Sequence, residues 1–135
     1  MPTERSKLVK KLDKIFSIYI RIRKTDDSGY GNCYTCNANH HWKGVDAGHF
    51  MSRACMNTRW DPKNVQFQCK RCNGFRSGEQ FLFSKELDLE YGNGTAETLQ
   101  EESRITAKFS ILQLRDMYSN YKCLVEQEKS ERGLD

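Results

Sequence analysis

The sequence predicts an α+β fold: a small irregular core with short strands, stapled by cysteines, one helix before it and two or three after it. Three observations predict this. Apolar residues recur at spacings of three and four near the N-terminus and again through the last third of the chain, as in amphipathic helices. Residues 30–78 between them show no helical period and concentrate Cys, His, Asn, Gly and Trp. Two Cys-x-x-Cys pairs, Cys33/Cys36 and Cys69/Cys72, lie inside that aperiodic stretch.

The chain has 135 residues, which predicts a single domain with a modest core. It divides into an N-terminal amphipathic helix (1–28), a stapled core (29–79) and a helical C-terminal part (80–135). Only 37% of residues are hydrophobic against 30% charged, so a core of this size needs a staple.

The first helix is read over residues 5–24. Leu8, Leu12, Ile15, Phe16, Tyr19 and Ile22 form its packing stripe, and Lys7, Lys10, Lys11, Lys14 and Arg21 fall on the other side as a solvated basic face. Asp26-Asp27-Ser28-Gly29 ends it as a turn. Short strand-like runs follow at Val45–Met51 and Val65–Gln68, then a short helix from just after Cys69 to before Gly78. Phe81–Tyr91 reads as a packed helix closed by Gly92-Asn93-Gly94, and Thr95–Ser103 as a short polar one. Ser110 and Gln113 make a capping box for a last helix running to about Ser130, with Ile111, Leu114, Tyr118, Tyr121 and Val125 on one face. These late stripes are core, with no chemistry assigned.

Each two-residue gap between cysteines lets one turn of backbone aim two sulfurs at one ion, and two such knuckles complete a tetrahedral four-thiolate site, the closed geometry of structural zinc. The 32 residues between the pairs become a loop pinned at its base. Disulfides or an iron–sulfur cluster are the alternatives. The N-terminus has no apolar leader segment and no run near the length of a membrane span exists, so a reducing cytoplasmic setting and zinc are expected. Cys55 and Cys123 are expected to be small buried hydrophobes, and His40 and His41 loop residues outside the thiolate set.

Charge is unevenly spread. Residues 1–76 carry 15 Lys and Arg against 6 Asp and Glu, whereas residues 77–135 carry 7 against 12. A basic front half attracts a polyanion, which points to nucleic acid.

Within the pinned loop stand Asp46-Ala47-Gly48-His49-Phe50, Asp61-Pro62-Lys63-Asn64-Val65 and Cys72-Asn73. This order of His, Asn and Asn around a cysteine pair resembles the HNH, or ββα-metal, nucleases. The resemblance implies that a hairpin presents His49, that Asn64 braces the hairpin and fixes the His49 ring, and that a following helix presents Asn73 as metal ligand. Such chemistry needs an imidazole to take a proton from water and a hard cation, Mg²⁺ or Mn²⁺, to neutralise charge on the phosphate and departing oxygen. The sequence departs from the commonest pattern at Gly48, where many members carry an acidic ligand. Asp46 is the nearest acid, but three residues before His49 a regular strand would turn it to the opposite face.

The string Cys33-x-x-Cys36, Asp46–Phe50, Arg59-Trp60-Asp61, Asn64, Gln68-Cys69-x-x-Cys72-Asn73 and Ser77-Gly78 is similar to the NinG, or Rap, recombination endonuclease family of lambdoid phages, over roughly residues 15–127. That resemblance implies a structure-specific endonuclease for branched DNA such as D-loops and Holliday junctions, acting in the host cytoplasm. Arg53, Arg59, Lys63, Lys70, Arg71 and Arg76 are the expected phosphate contacts. Trp42 and Trp60 are expected to be buried rather than stacked on an opened base. Symmetric cutting of a junction favours a homodimer joined through the first or last helix, and other recombination proteins are further expected partners. The competing readings are a sequence-specific or nonspecific HNH nuclease, a non-catalytic zinc-ribbon DNA-binding module, and an adaptor acting through its acidic C-terminal helices.

Overall fold

Helix α1 spans Glu4–Ile22 and is capped by Thr3, whose hydroxyl accepts from the Ser6 amide at 3.0 Å. The computed structural model describes residues 2–135. Leu8, Leu12, Phe16 and Ile20 repeat every fourth position on α1 and are all buried. They pack against α5 (Ile111–Arg132), which buries Leu114, Tyr121 and Val125. Phe16 meets Tyr121 edge-on with ring centroids 4.8 Å apart. Ser110 and Gln113 cap α5 reciprocally, as their spacing predicts, and Gly133 in the left-handed region ends it.

The middle of the chain forms two two-stranded antiparallel sheets. Strands β1 (Tyr30–Asn32) and β2 (Asn39–His41) flank the first cysteine knuckle. This pair has no sequence signature: its residues are polar, and the hydrogen bonds of the Cys33–Ala38 turn draw the strands together. Strand β3 (Asp46–His49) pairs with β4 (Val65–Gln68) so that Asp46 faces Gln68 and His49 faces Val65. The link between them holds one short helix, α2 (Met56–Arg59), which the sequence also does not announce. Cys69 leads from β4 into a helical turn whose Arg71–Phe75 part is π-helical.

Gly48 is dictated by the neighbouring strand. A Cβ there would lie 2.1 Å from Gln68 Oε1 and 2.9 Å from Gln68 Cβ. Gln68 cannot swing away easily, since its amide donates to the Gly78 carbonyl at 2.8 Å and to Thr35 Oγ1 at 3.1 Å. A residue with a side chain, acidic or otherwise, would not fit at position 48.

Helices α3 (Gln80–Tyr91) and α4 (Thr95–Ser103) form a separate small core, in which Phe83, Leu87, Ala96 and Leu99 close over Phe50. Trp42 and Trp60 are buried, as expected. Cys55 is half-buried and Cys123 exposed, which corrects their reading as core residues: Cys123 lies on the outward face of α5. Among the described residues no helix is long and apolar enough to cross a membrane.

Candidate metal centre and active site

The four cysteines of the two knuckles converge. The sulfurs of Cys33, Cys36, Cys69 and Cys72 all lie within 4.8 Å of one another, and those of Cys36 and Cys69 are 3.7 Å apart. A tetrahedral zinc with bonds of about 2.3 Å needs sulfurs about 3.8 Å apart, so this donor set can hold a structural zinc ion. Backbone amides support the thiolates: Cys69 N–H donates to Cys33 Sγ at 3.3 Å, and Cys72 N–H to Cys69 Sγ at 3.5 Å. Burial pushes the Cys33 thiol up, but the amide and hydroxyl donors around it win and bring it down to about 6. Burial pushes Cys72 up to about 12. His40 and His41 lie on β2 outside the sulfur cluster.

Beside this centre is a groove of about 680 Å³ between α1 and the β3–π-turn unit. His49, Asp46 and Asn73 all line it. His49 ends β3, and its Nε2 lies 3.1 Å from the Arg59 carbonyl oxygen. A carbonyl only accepts, so Nε2 carries the proton and Nδ1 holds the free lone pair. Burial is the main influence that lowers the His49 pKa below the ordinary imidazole value, and the Arg53 charge lowers it further, against the backbone of Arg59 and Ala47 and the Asp13 charge. A neutral imidazole whose Nε2 donates to a carbonyl can accept a proton at Nδ1.

Asp46 does not turn away from this groove, contrary to the regular-strand expectation. It opens β3, where the chain has just left a 3-10 turn (Trp42–Gly44), and its carboxylate reaches the π turn. Asn73 Nδ2 donates to Asp46 Oδ2 at 3.0 Å, and Lys70 Nζ to Asp46 Oδ1 at 2.7 Å. Burial raises the Asp46 pKa, but these two donors outweigh it and hold the carboxyl below its usual value. With its amide nitrogen turned to Asp46, Asn73 has its own oxygen available. A carboxylate and an amide oxygen side by side are hard donors of the kind Mg²⁺ or Mn²⁺ takes.

Asn64 is wholly buried and touches backbone, not the His49 ring. Its side chain accepts from Met51 N–H at 2.8 Å and donates to the carbonyls of Met51 at 3.0 Å and Thr58 at 3.1 Å. It thereby closes the link between β3 and β4 at its two ends. Any hold on His49 is indirect, because Thr58 precedes the residue whose carbonyl meets the imidazole.

Of the expected phosphate contacts, the groove receives Arg53 and Lys70. Arg59 does not line the groove: its guanidinium pairs with Asp13, with Nε 3.1 Å from Oδ1 and Nη2 2.5 Å from Oδ2. Trp60 Nε1 donates to the same carboxylate at 2.9 Å. Lys63 lies over the Tyr91 ring in a separate cleft with Asp61 and Glu102, away from the groove. Arg71 borders a hollow beside Cys36 and Cys69, and Arg76 is exposed at the end of the π turn.

Four groove residues carry no site role in the sequence reading: Asp13, Ser17 and Arg21 on α1, and Lys43 in the 3-10 turn. Arg21 was placed on the outer basic face, but its guanidinium turns inward to the Ser17 hydroxyl and the Trp42 carbonyl, 3.1 and 3.2 Å away. Their signal was available: Asp13, Ser17 and Arg21 repeat every four residues, one position beyond the apolar stripe.

The fold and site thus define a small α+β protein in which a four-cysteine centre that can hold zinc supports a histidine-containing polar groove. The chain belongs to the NinG family: the family model described as "Bacteriophage Lambda NinG protein" matches residues 3–131. Searches of curated proteins and of solved structures give no match.

Proposed function

We propose that this chain is a metal-dependent DNA endonuclease of the HNH type, and that β3, β4 and the π turn are its ββα-metal core. The single observation that carries this reading is the meeting of His49 with the Asp46–Asn73 pair in one groove. The recombination-related character of the NinG family supports DNA as the substrate, and we take branched intermediates as its preferred form.

In this mechanism His49 Nδ1 takes the proton from the attacking water, while the Arg59 carbonyl keeps Nε2 protonated and the ring aimed. Asp46 and Asn73 would hold a divalent cation, which supplies charge neutralisation at the phosphate and the departing 3′ oxygen. Lys70, with a side chain 68% exposed, is free to leave Asp46 and take up a phosphate oxygen. Arg53 offers a second phosphate contact. Attack by water on phosphorus with departure of the 3′ oxygen leaves 5′-phosphate and 3′-hydroxyl ends. Metal selection by two neutral-to-acidic oxygens rather than by thiolates keeps this position distinct from the zinc centre.

The test is cleavage of a labelled four-way junction beside its matched linear duplex, with Mg²⁺, with Mn²⁺ and with neither. Metal-dependent cutting of the junction in preference to the duplex is the expected result. Tight binding without cleavage under any metal would make the chain a zinc-ribbon binding module, and discrete bands from linear duplex would make it a sequence-specific nuclease.

A further inference from the structure

We infer that Phe75 is a stacking platform for an unpaired base, and that the basic turn carrying it docks the opened part of a branched DNA. The inference rests on the proposal that DNA is the groove's substrate and names the feature that would tell branched from linear DNA.

Phe75 is 93% exposed, the most solvent-accessible large apolar side chain among the described residues. Both tryptophans are buried, so neither can meet a base. Phe81 is also exposed, but Lys85 Nζ already sits over its ring, 4.7 Å from the centroid. Phe75 has no such cover and stands two residues after Asn73 in the same π turn.

The surroundings of Phe75 suit a polyanion. No acidic residue occurs between Asp61 and Glu79, while Lys70, Arg71 and Arg76 cluster around the turn. Among the described residues neither Arg71 nor Arg76 enters an ion pair. A purely apolar partner would leave these cations desolvated and unmatched, whereas a nucleic acid offers a π-face for the ring and phosphates for the guanidiniums together.

The base of the turn is fixed. Ser77, Gly78 and Glu79 follow with φ of 52°, 88° and 49°, three consecutive left-handed residues. Gly78 N–H donates to the Cys72 carbonyl at 2.8 Å, and Gln68 donates to the Gly78 carbonyl at 2.8 Å. These bonds tie the reversal to a cysteine of the metal centre and to β4, so the ring projects from a rigid mount. An intact duplex keeps its bases stacked and presents no free π-face; a junction centre or an unpaired base does.

The experiment measures binding of the full-length, zinc-loaded chain without Mg²⁺ or Mn²⁺, so that cleavage plays no part. The probes are a linear duplex, the same duplex with one unpaired 2-aminopurine, and a four-way junction. Phe75→Ala should weaken binding of the unpaired-base probe and the junction about tenfold, and leave the linear duplex within about twofold. The wild type should quench 2-aminopurine fluorescence, Phe75→Ala should not, and Phe75→Trp should restore the quenching. Equal loss on all probes, or no loss on any, would overturn the inference while leaving the nuclease reading to its own cleavage test. Failure of the wild-type chain to bind any of the probes would overturn both.

Discussion

The two walls of the groove are built by different means. The α1 wall is an apolar construction: a regular stripe from Leu8 to Ile20 locks it to α5, and the polar residues that face the groove are carried one position along the same helix. The wall of β3, β4 and the π turn is almost the reverse. Its strands are four residues long, its fully buried side chains include Asn64, Gln66 and Gln68, and four sulfurs close its base. Apolar burial is the main support of the first wall; the second depends on buried amide hydrogen bonds and on a four-cysteine centre that can hold zinc. On the proposed reading the chemistry sits on the wall that hydrophobic packing does not hold by itself, which would link zinc binding to the competence of His49.

The sharpest way to break this comparison is to remove a thiolate. Cys72→Ser should abolish zinc binding, with a loss of folding energy on the order of ten kcal/mol for that wall. Amides of β3 and β4 should then lose hydrogen-exchange protection while those of α1 and α5 keep theirs; equal loss in both would show that the walls do not differ. On the apolar wall, Phe16→Ala should cost about 3–5 kcal/mol in denaturant unfolding yet leave zinc stoichiometry unchanged in the folded protein. Asn64→Ala should cost about 3 kcal/mol, because one Met51 amide and two carbonyls lose their partner in a buried setting. That loss should fall on the zinc-loaded protein, unlike a thiolate substitution, which acts through the metal.

The smallest effect is on pH dependence. A general base must be unprotonated, and burial lowers the His49 pKa below its ordinary value. Cleavage should therefore stay level on going down from neutral pH and fall away only below about 6.5. Arg53→Ala removes a neighbouring positive charge that lowers this pKa, so it should move the acid limb upward. A limb that stays in place or moves down would remove Arg53 from the vicinity of the reacting imidazole.

The parts of the fold that were legible in the sequence are those set by local pattern. The α1 stripe, the Ser110–Gln113 box, the Gly92-Asn93-Gly94 break and the cysteine spacing all depend on residues near one another in the chain. Strands β1 and β2 and helix α2 were not legible, since three or four residues without apolar alternation acquire their form from what they are tied to. The candidate site shows the same split. His49 and Asn73 come from the pinned loop and its knuckle, so motif order placed them together, whereas Asp46 was expected on the opposite face and reaches the groove because β3 starts straight after the 3-10 turn. Asp13 is 36 residues before His49 in the chain, and only the packing of α1 brings it to the groove. The Arg59 partner, Asp13, was likewise not legible, because it lies 46 residues away in sequence.

The most direct measurement is single-turnover cleavage of the four-way junction by wild type and His49→Ala, each with its zinc content and melting temperature matched. The account predicts that His49→Ala binds the junction normally and cuts it slower by a factor on the order of a hundred or more. A folded, zinc-loaded His49→Ala that cuts within a few-fold of the wild-type rate would contradict it.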